Sequence, residues 1–252
     1  MKLIAPNNIF STIFYLSLPE KNRPELILKE SSLVTQELLM TKDALAIIPS
    51  LDLINHKDLL VSSKIAFSFS GLLSNSYLYY SKSDQEFKSL LIKGDVSSNE
   101  VILSKIIFKE IYYIEPKIGL DVSENFDENK NYLLTGNLNW QKEKFKIGNS
   151  FSEYISDFLE YPYVNYLVVS GDEEIINKFH LQIEDFNKTI IEKLPKILEK
   201  INLGDEINDF IYSNQFLIDF NFNVDQIEGY NQLIRLLYYH QIIDDLFDVK
   251  FV

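Results

Sequence analysis

The chain has 252 residues, 46% of them hydrophobic, and its 24 Lys and Arg against 37 Asp and Glu give a formal net charge of −13. That is enough apolar material for a full core, in one large domain or two lobes, and disorder is not expected. Nucleic acid and anionic membrane surfaces both need clustered Lys and Arg and are excluded as partners by the charge, while the lack of cysteine excludes disulfides, thiolate catalysis and cysteine metal sites.

Arg23 and Arg235 are the only arginines. An anionic ligand would therefore be held by Lys, hydroxyls, amides or helix N-termini rather than by guanidinium forks. The opening Met-Lys-Leu-Ile-Ala-Pro-Asn-Asn lacks the long apolar region of a signal peptide. No uncharged apolar run reaches the roughly 20 residues of a membrane helix. The expectation is a soluble, cytoplasmic protein.

In chain order, an apolar run at residues 2–5 closes on Pro6-Asn7-Asn8, and Ile9, Ile13, Phe14 and Leu16 follow with helical spacing. This reads as strand, turn, helix. Residues 25–29 read as a second strand, after which Ser31 or Ser32 caps a helix carrying Leu33, Leu38 and Leu39. Residues 44–48 are continuously apolar, the signature of a central strand buried on both faces, and end at Pro49-Ser50. Ile65, Phe67 and Phe69 alternate with small residues as in a strand with one packed face. That strand runs into Gly71 and the polar group Ser74-Asn75-Ser76, then leaves as the tyrosine-rich strand Tyr77 to Tyr80. Gly71 would let backbone approach a ligand, and Asn75 and Ser76 can donate and accept hydrogen bonds beside it.

Residues 89–92 read as a strand. Ser97 and Glu100 have capping-box spacing ahead of a helix with Val101, Ile102, Ile106 and Ile107. Residues 111–114 resemble another strand, 121–131 a loop, and 133–137 a strand entering a turn before Trp140. A second box spacing, Ser150 to Glu153, opens a helix that Pro162 halts ahead of a strand at 163–169. From 172 to 201 the apolar spacing describes one long amphipathic helix kinked or broken near Pro195, and residues 207–211 and 224–239 add further helices. Strands alternating with helices up to residue 170, then an all-helical tail, indicate an α/β class.

The order of these segments resembles the menaquinone-biosynthesis proteins of the futalosine pathway, closest to the chorismate dehydratase branch. Thr41-Lys-Asp-Ala-Leu-Ala-Ile-Ile-Pro-Ser50 is similar to that family's segment ending in Pro-Ser, the Gly71 stretch to its Gly-x-Val-x-Ser-Val-x-Leu run, and Asp95-Val-Ser-Ser98 to its Asp-x-Ser-Ser helix start. Leu134-Thr-Gly-Asn137 is similar to its Ile-Gly-Asp turn, and Phe158-Leu-Glu-Tyr-Pro-Tyr-Val164 to its Thr-Gly-Leu-Pro-Phe-Val exit. The resemblance implies the two-lobe fold of type II periplasmic binding proteins, two mixed sheets flanked by helices. Lobe one would be residues 1–78 plus 171–252, lobe two residues 79–170, with crossings at 71–80 and 168–171 and the ligand cleft between.

The same resemblance implies a substrate-binding set of Asn7, Asn8, Phe10, Ser11, Ser50, Gly71, Asn75, Ser76, Ser97, Ser98, Asn99, Thr135, Gly136 and Asn137. It implies a small carboxylate ligand, no cofactor and no metal, in a monomer or homodimer. The chain departs from the pattern in several places: Phe10 stands where the family has Asn, Asn75 where it has Ser, Asn99-Glu100-Val101 where it has Arg-Thr-Ser, and Asn137 where it has Asp. The implied reaction is loss of water from chorismate to give 3-[(1-carboxyvinyl)oxy]benzoate. The alternatives are a non-catalytic carboxylate-binding protein on the same scaffold and the sister enzyme releasing dihydroxynaphthoate, whose first turn Pro6-Asn7-Asn8-Ile9-Phe10 partly matches. Ser97 and Ser98 also read as ordinary helix caps and Asn7 and Asn8 as turn residues. Glu100 reads as a capping residue before an acid or base, the tyrosines and Trp140 as packing, and His56, His180 and His240 as structural or surface residues, since they share no metal-site spacing.

Overall fold

A computed structural model describes residues 1–81, 83, 87–183 and 186–252, with no side chains considered for 142–144. Its strands form two sheets. The first is ordered β11-β4-β10-β3-β1-β2, from β1 (Lys2–Pro6), β2 (Glu25–Lys29), β3 (Ala44–Pro49), β4 (Leu60–Phe69), β10 (Tyr163–Ser170) and β11 (Ile218–Asn221). The second is ordered β7-β6-β8-β5-β9, from β5 (Ser76–Tyr79), β6 (Ser89–Gly94), β7 (Lys117–Leu120), β8 (Tyr132–Thr135) and β9 (Asn149–Ser150). Both are mixed: β2, β1 and β3 run parallel while β10 lies antiparallel between β3 and β4, and β7, β6 and β8 run parallel while β5 lies antiparallel to β8.

The apolar run of β3 is buried at every position, as its lack of alternation requires. Helices α1 (Ile9–Ser17) and α2 (Ser31–Met40) follow β1 and β2 and flank the first sheet; α3 (Ser98–Tyr112) follows β6. The Asn8 side chain caps α1 by accepting from Ser11 N–H, and the Ser97–Glu100 capping box forms as its spacing predicts. One apolar cluster takes Ile4, Ile48 and Val164 from the first sheet together with Leu78, Ile92 and Leu133 from the second. The sheets therefore share a core and lie closed on one another.

Several expectations are corrected. Residues 111–112 complete α3, which ends at Tyr113 in the left-handed region, and the strand lies later, at β7. The predicted long helix is two, α5 (Glu173–His180) and α6 (Phe186–Ile201); Glu184 and Asp185 fall outside the described residues, and Pro195 sits inside α6 without ending it. The tail is not all helical. After α7 (Asp205–Ser213), β11 returns to pair antiparallel with β4, and only then does α8 (Val224–Tyr239) begin.

The passages between sheets also move. The first runs through residues 70–75, because β5 already belongs to the second sheet. The second lies between α4 (Phe151–Leu159) and β10, not at 168–171, because all of β10 is hydrogen-bonded into the first sheet, from Tyr163 opposite Phe69 to Ser170 opposite Leu60.

Two glycines fix where the second sheet ends. Gly94 and Gly136 have φ of 108° and 66°, and they close the paired ends of β6 and β8 with no room for a side chain: a Cβ on Gly94 would strike the Thr135 carbonyl, and one on Gly136 would lie 2.8 Å from the Asp95 Cβ. Gly136→Ala is expected to lower the unfolding free energy by about 1–3 kcal/mol in urea titration. Gly171→Ala, where a Cβ meets nothing within 4 Å, is expected to stay within about 0.5 kcal/mol of wild type.

Candidate functional site

Polar side chains from both sheets and from the first passage converge on the hydroxyl of Tyr166, in the middle of β10. Tyr166 Oη accepts from Asn8 Nδ2 at 3.2 Å and from Asn75 Nδ2 at 3.0 Å, and lies 3.3 Å from Ser31 Oγ. Ser31, the first residue of α2, donates its N–H to Asp95 Oδ1 at 2.6 Å and its hydroxyl to Asp95 Oδ2 at 2.6 Å. Asp95 follows β6, so this contact joins the two sheets. The expectation that Ser31 or Ser32 caps α2 is corrected: position N-cap is Glu30, whose side chain makes no cap bond, and the acceptor at this helix end is Asp95, 64 residues away.

A second carboxyl lies deeper. Glu100 Oε1 accepts from Ser76 Oγ at 3.0 Å, and Oε2 accepts from Ser97 N–H at 2.9 Å and Ser97 Oγ at 2.6 Å. Asn99 Nδ2 donates to the Asn165 carbonyl at 2.7 Å and its Oδ1 accepts from Leu51 N–H at 3.0 Å. Asp52 accepts from Ser98 Oγ at 2.6 Å and from Thr35 Oγ1 at 2.6 Å. Asn137 Nδ2 donates to the Asn7 carbonyl at 3.0 Å, an exposed bridge at the rim.

Burial holds the Asp95 carboxyl above its ordinary range, against the lowering effect of the two Ser31 bonds. Glu100 is likewise raised by burial, against its bonds to Ser97 and Ser76. The phenols of Tyr163 and Tyr166 are pushed up by burial first and by the Glu100 carboxyl next, so both stay neutral.

Most of the expected site residues do meet here. Asn8, Asn75, Ser76, Ser97, Ser98 and Asn99 belong to the hydrogen-bonded set above, and Asn7 and Asn137 form its rim. Ser11, Ser50, Asn75 and Thr135 each leave a buried side-chain oxygen without a hydrogen-bond partner, as does Asn165. Phe10 is fully buried in an aromatic group, 4.9 Å from Phe69 and 5.9 Å from Trp140 between ring centroids. Gly71, at φ of 123°, faces the Leu217 side chain, and its carbonyl accepts from Ser150 Oγ at 2.5 Å. Gly136 packs on Asp95 and donates its N–H to the Asn75 carbonyl at 2.8 Å. The histidines lie elsewhere: His180 Nε2 meets Ser62 Oγ at 2.6 Å with its pKa lowered to about 4 by burial, and His240 pairs with Glu110 at 2.9 Å.

The binding set expected from the sequence does not include Ser31, Asp52, Asp95, Asn165 or Tyr166, although Ser31 is expected as a helix cap and Asp95 opens the Asp95-Val-Ser-Ser98 motif. Asn165 and Tyr166 carried a signal: they are the polar interruption in a strand otherwise made of Tyr163, Val164 and Leu167–Val169 and buried throughout. Asp95 carried one too, directly after a strand that ends in glycine.

The polar cluster is packed shut. Cavities among the described residues include one of about 130 Å³ under Phe10, Ile190 and Phe220 and an open groove of about 760 Å³ lined by Ile9, Thr12, Asn137 and Trp140; neither is lined by Tyr166, Asn75 or Asp95. Among the described residues no group of three or more potential metal ligands occurs, and no helix is long and apolar enough to cross a membrane.

Two mixed sheets flanked by helices, joined by two passages with polar groups gathered between them, make up the periplasmic-binding-protein fold. The solved structures with that similarity include protein AF1704 from Archaeoglobus fulgidus, at a TM-score of 0.68 and 10% identity over 96% of this chain and 98% of that one. The Candida albicans CA3427 gene product, described as defining a new family with the generic periplasmic binding protein fold, gives 0.63 and 12% over 99% and 92%. The periplasmic aliphatic sulphonate binding protein SsuA from Escherichia coli gives 0.54 and 9% over 99% and 89%. The sequence matches no family model and no curated protein.

Because the folded Glu100 carboxyl binds its proton more tightly than an unfolded one, its contribution to stability is full below the unfolded carboxylate value of about 4.3 and is lost as pH rises through the raised folded value. The stability of Glu100→Gln relative to wild type is therefore expected to be greatest at neutral pH and to decline as the pH is lowered toward 4, measured by urea unfolding at a series of pH values.

Proposed function

We propose that this chain is a small-molecule binding protein whose two sheets act as lobes that close on a ligand held between them, with the passages at 70–75 and 160–162 as the hinge. One observation carries the reading: of the eleven buried side-chain atoms without a partner among the described residues, four are on Ser11, Ser50, Asn75 and Thr135, which come from four different segments on the two sides of the passages. Buried polar atoms are ordinarily bonded, and four orphans from separate segments are the pattern expected where a ligand supplies the missing bonds. Native mass spectrometry of the purified protein is expected to find a small molecule bound, and its removal is expected to lower the melting temperature. Asn75→Ala should carry less of it. A chain that carries nothing, and is not stabilised by any compound of a broad metabolite panel, would sink the proposal.

A second reading is a lyase that removes water from chorismate. Asp95 supports it: this carboxyl opens the Asp95-Val-Ser-Ser98 run that resembles the dehydratase branch, and burial favours the protonated form that a departing hydroxyl needs from an acid. Loss of water takes the hydroxyl and the neighbouring ring hydrogen and aromatises the ring, so besides orientation the reaction needs a proton donor for the hydroxyl and an acceptor for the ring proton, which Asp95 once deprotonated, or a carboxylate of the substrate, would supply. Purified protein with chorismate would then yield the carboxyvinyloxybenzoate, with Asp95→Asn slower by about 10²–10⁴-fold. Turnover no greater than a buffer blank, by mass detection, removes this reading and leaves the first intact.

A further inference from the structure

Backbone N–H groups at a helix N-terminus, together with the helix dipole, are the usual way to hold an anion without Arg or Lys. Here the N-terminal donors that face between the sheets are taken by the protein's own acceptors. Ser31 N–H at the head of α2 and its hydroxyl go to the two oxygens of Asp95. Leu51 N–H goes to Asn99 Oδ1, Ser97 N–H to Glu100 Oε2, and Ser11 N–H to Asn8 Oδ1. The contact at α2 stands apart from the other three because a carboxyl from the opposite sheet engages the helix end with both oxygens, as a bound carboxylate would; Leu51–Asn99 also crosses between the sheets but offers a single amide oxygen.

A second observation is independent of that helix. Asn75 is wholly buried, its Nδ2 is bonded to the same Tyr166 hydroxyl that touches Ser31, and its Oδ1 has no partner. Asn165 Oδ1 is in the same state. Both are pure acceptors and are satisfied only by a ligand that donates, while the orphan hydroxyls of Ser11, Ser50 and Thr135 can donate or accept. Asn8, Ser31, Asn75, Ser76, Asn99 and Tyr166 are uncharged, so the acidic groups Asp52, Asp95 and Glu100 set the sign of the field there.

We infer that Asp95 is a specificity-determining residue: its carboxylate occupies the anion position at the α2 N-terminus, and the cleft consequently takes an uncharged or cationic ligand rich in N–H or O–H donors while barring carboxylates, sulphonates and phosphates. This rests on the first reading, a cleft that binds a small molecule, and is incompatible with the second, in which the cleft takes chorismate. An anion would have to evict Asp95 and leave its buried carboxyl without the two Ser31 bonds.

The test uses the full chain and two probes, sulfate and ethanesulphonate, titrated by calorimetry at constant ionic strength with chloride as the balancing ion. Wild type is expected to show no saturable binding of either. Asp95→Ala, which vacates the Ser31 donors, is expected to gain saturable binding at least about 10-fold tighter than any seen in wild type. Asp95→Asn, which keeps an acceptor of the same shape in place, is expected to gain none. Saturable binding of either probe, or of chorismate, by wild type overturns the inference, and this arm needs no variant to fold. A folded Asp95→Ala that still binds neither probe overturns it as well. The molecule found by native mass spectrometry is expected to lack an acidic group; an acid there also overturns it. If no molecule is found, the ligand-binding reading fails by itself, while the sulfate titration still decides what Asp95 does.

Discussion

A phenolic hydroxyl in the middle of a strand covered on both faces must find partners or cost about 1–3 kcal/mol, and in this chain that hydroxyl belongs to Tyr166, which is 1% exposed. Its partners determine much of what surrounds it. Asn8 comes from the cap of α1, Asn75 from the passage between sheets, and Ser31 from the head of α2, which hands the network on to Asp95 in the second sheet. One buried oxygen thus draws together four segments that are distant in sequence. Asn8 is needed twice, since its Oδ1 caps α1 while its Nδ2 reaches Tyr166. The turn residues at the end of β1 and the crossing residues before β5 are therefore parts of one network.

Much of the architecture was legible because its causes are local. The unbroken apolar run of β3 announces a strand buried on both faces, and the Ser97–Glu100 spacing announces a helix start, both as found. The errors arose where tertiary structure overrides local preference. Ile111 and Tyr112 favour a strand by type, yet they complete the last turn of α3, which Tyr113 closes at φ of 55°. Pro195 reads as a helix breaker worth about 3 kcal/mol, but Leu194, Ile197 and Leu198 are buried around it and hold α6 together. The described break falls at Leu181 to Ile183, after α5 ends at His180, although the apolar spacing continues through Ile183. β11 is only four residues long, and pairing with β4, about 150 residues earlier, is what makes it a strand.

The candidate site was legible in half of its members. Asn75, Ser76, Ser97 and Asn99 stand at ends of elements, where a polar residue amid apolar ones draws notice. Ser31, Asp52 and Asp95 look like ordinary helix-end or loop residues, and only the apposition of the two sheets gives them partners. The two-sided nature of the site is invisible to any reading that treats each segment alone.

The closed arrangement has an energetic consequence. Asp95 and Glu100 are raised by burial, so closure works against their ionised forms, and each buried oxygen left without a partner costs on the order of 1–3 kcal/mol. Against this stand the apolar cluster that spans both sheets and the bonds Ser31–Asp95, Ser98–Asp52 and Asn99–Leu51. On the proposed reading, closure is opposed by the first set and favoured by the second. A ligand shifts such an equilibrium by its differential affinity for the two forms, and a few hydrogen bonds to otherwise orphaned atoms, present only on closure, supply that difference. On the proposed reading, the unsatisfied oxygens of Ser11, Ser50, Asn75 and Thr135 would make closure depend on what is bound.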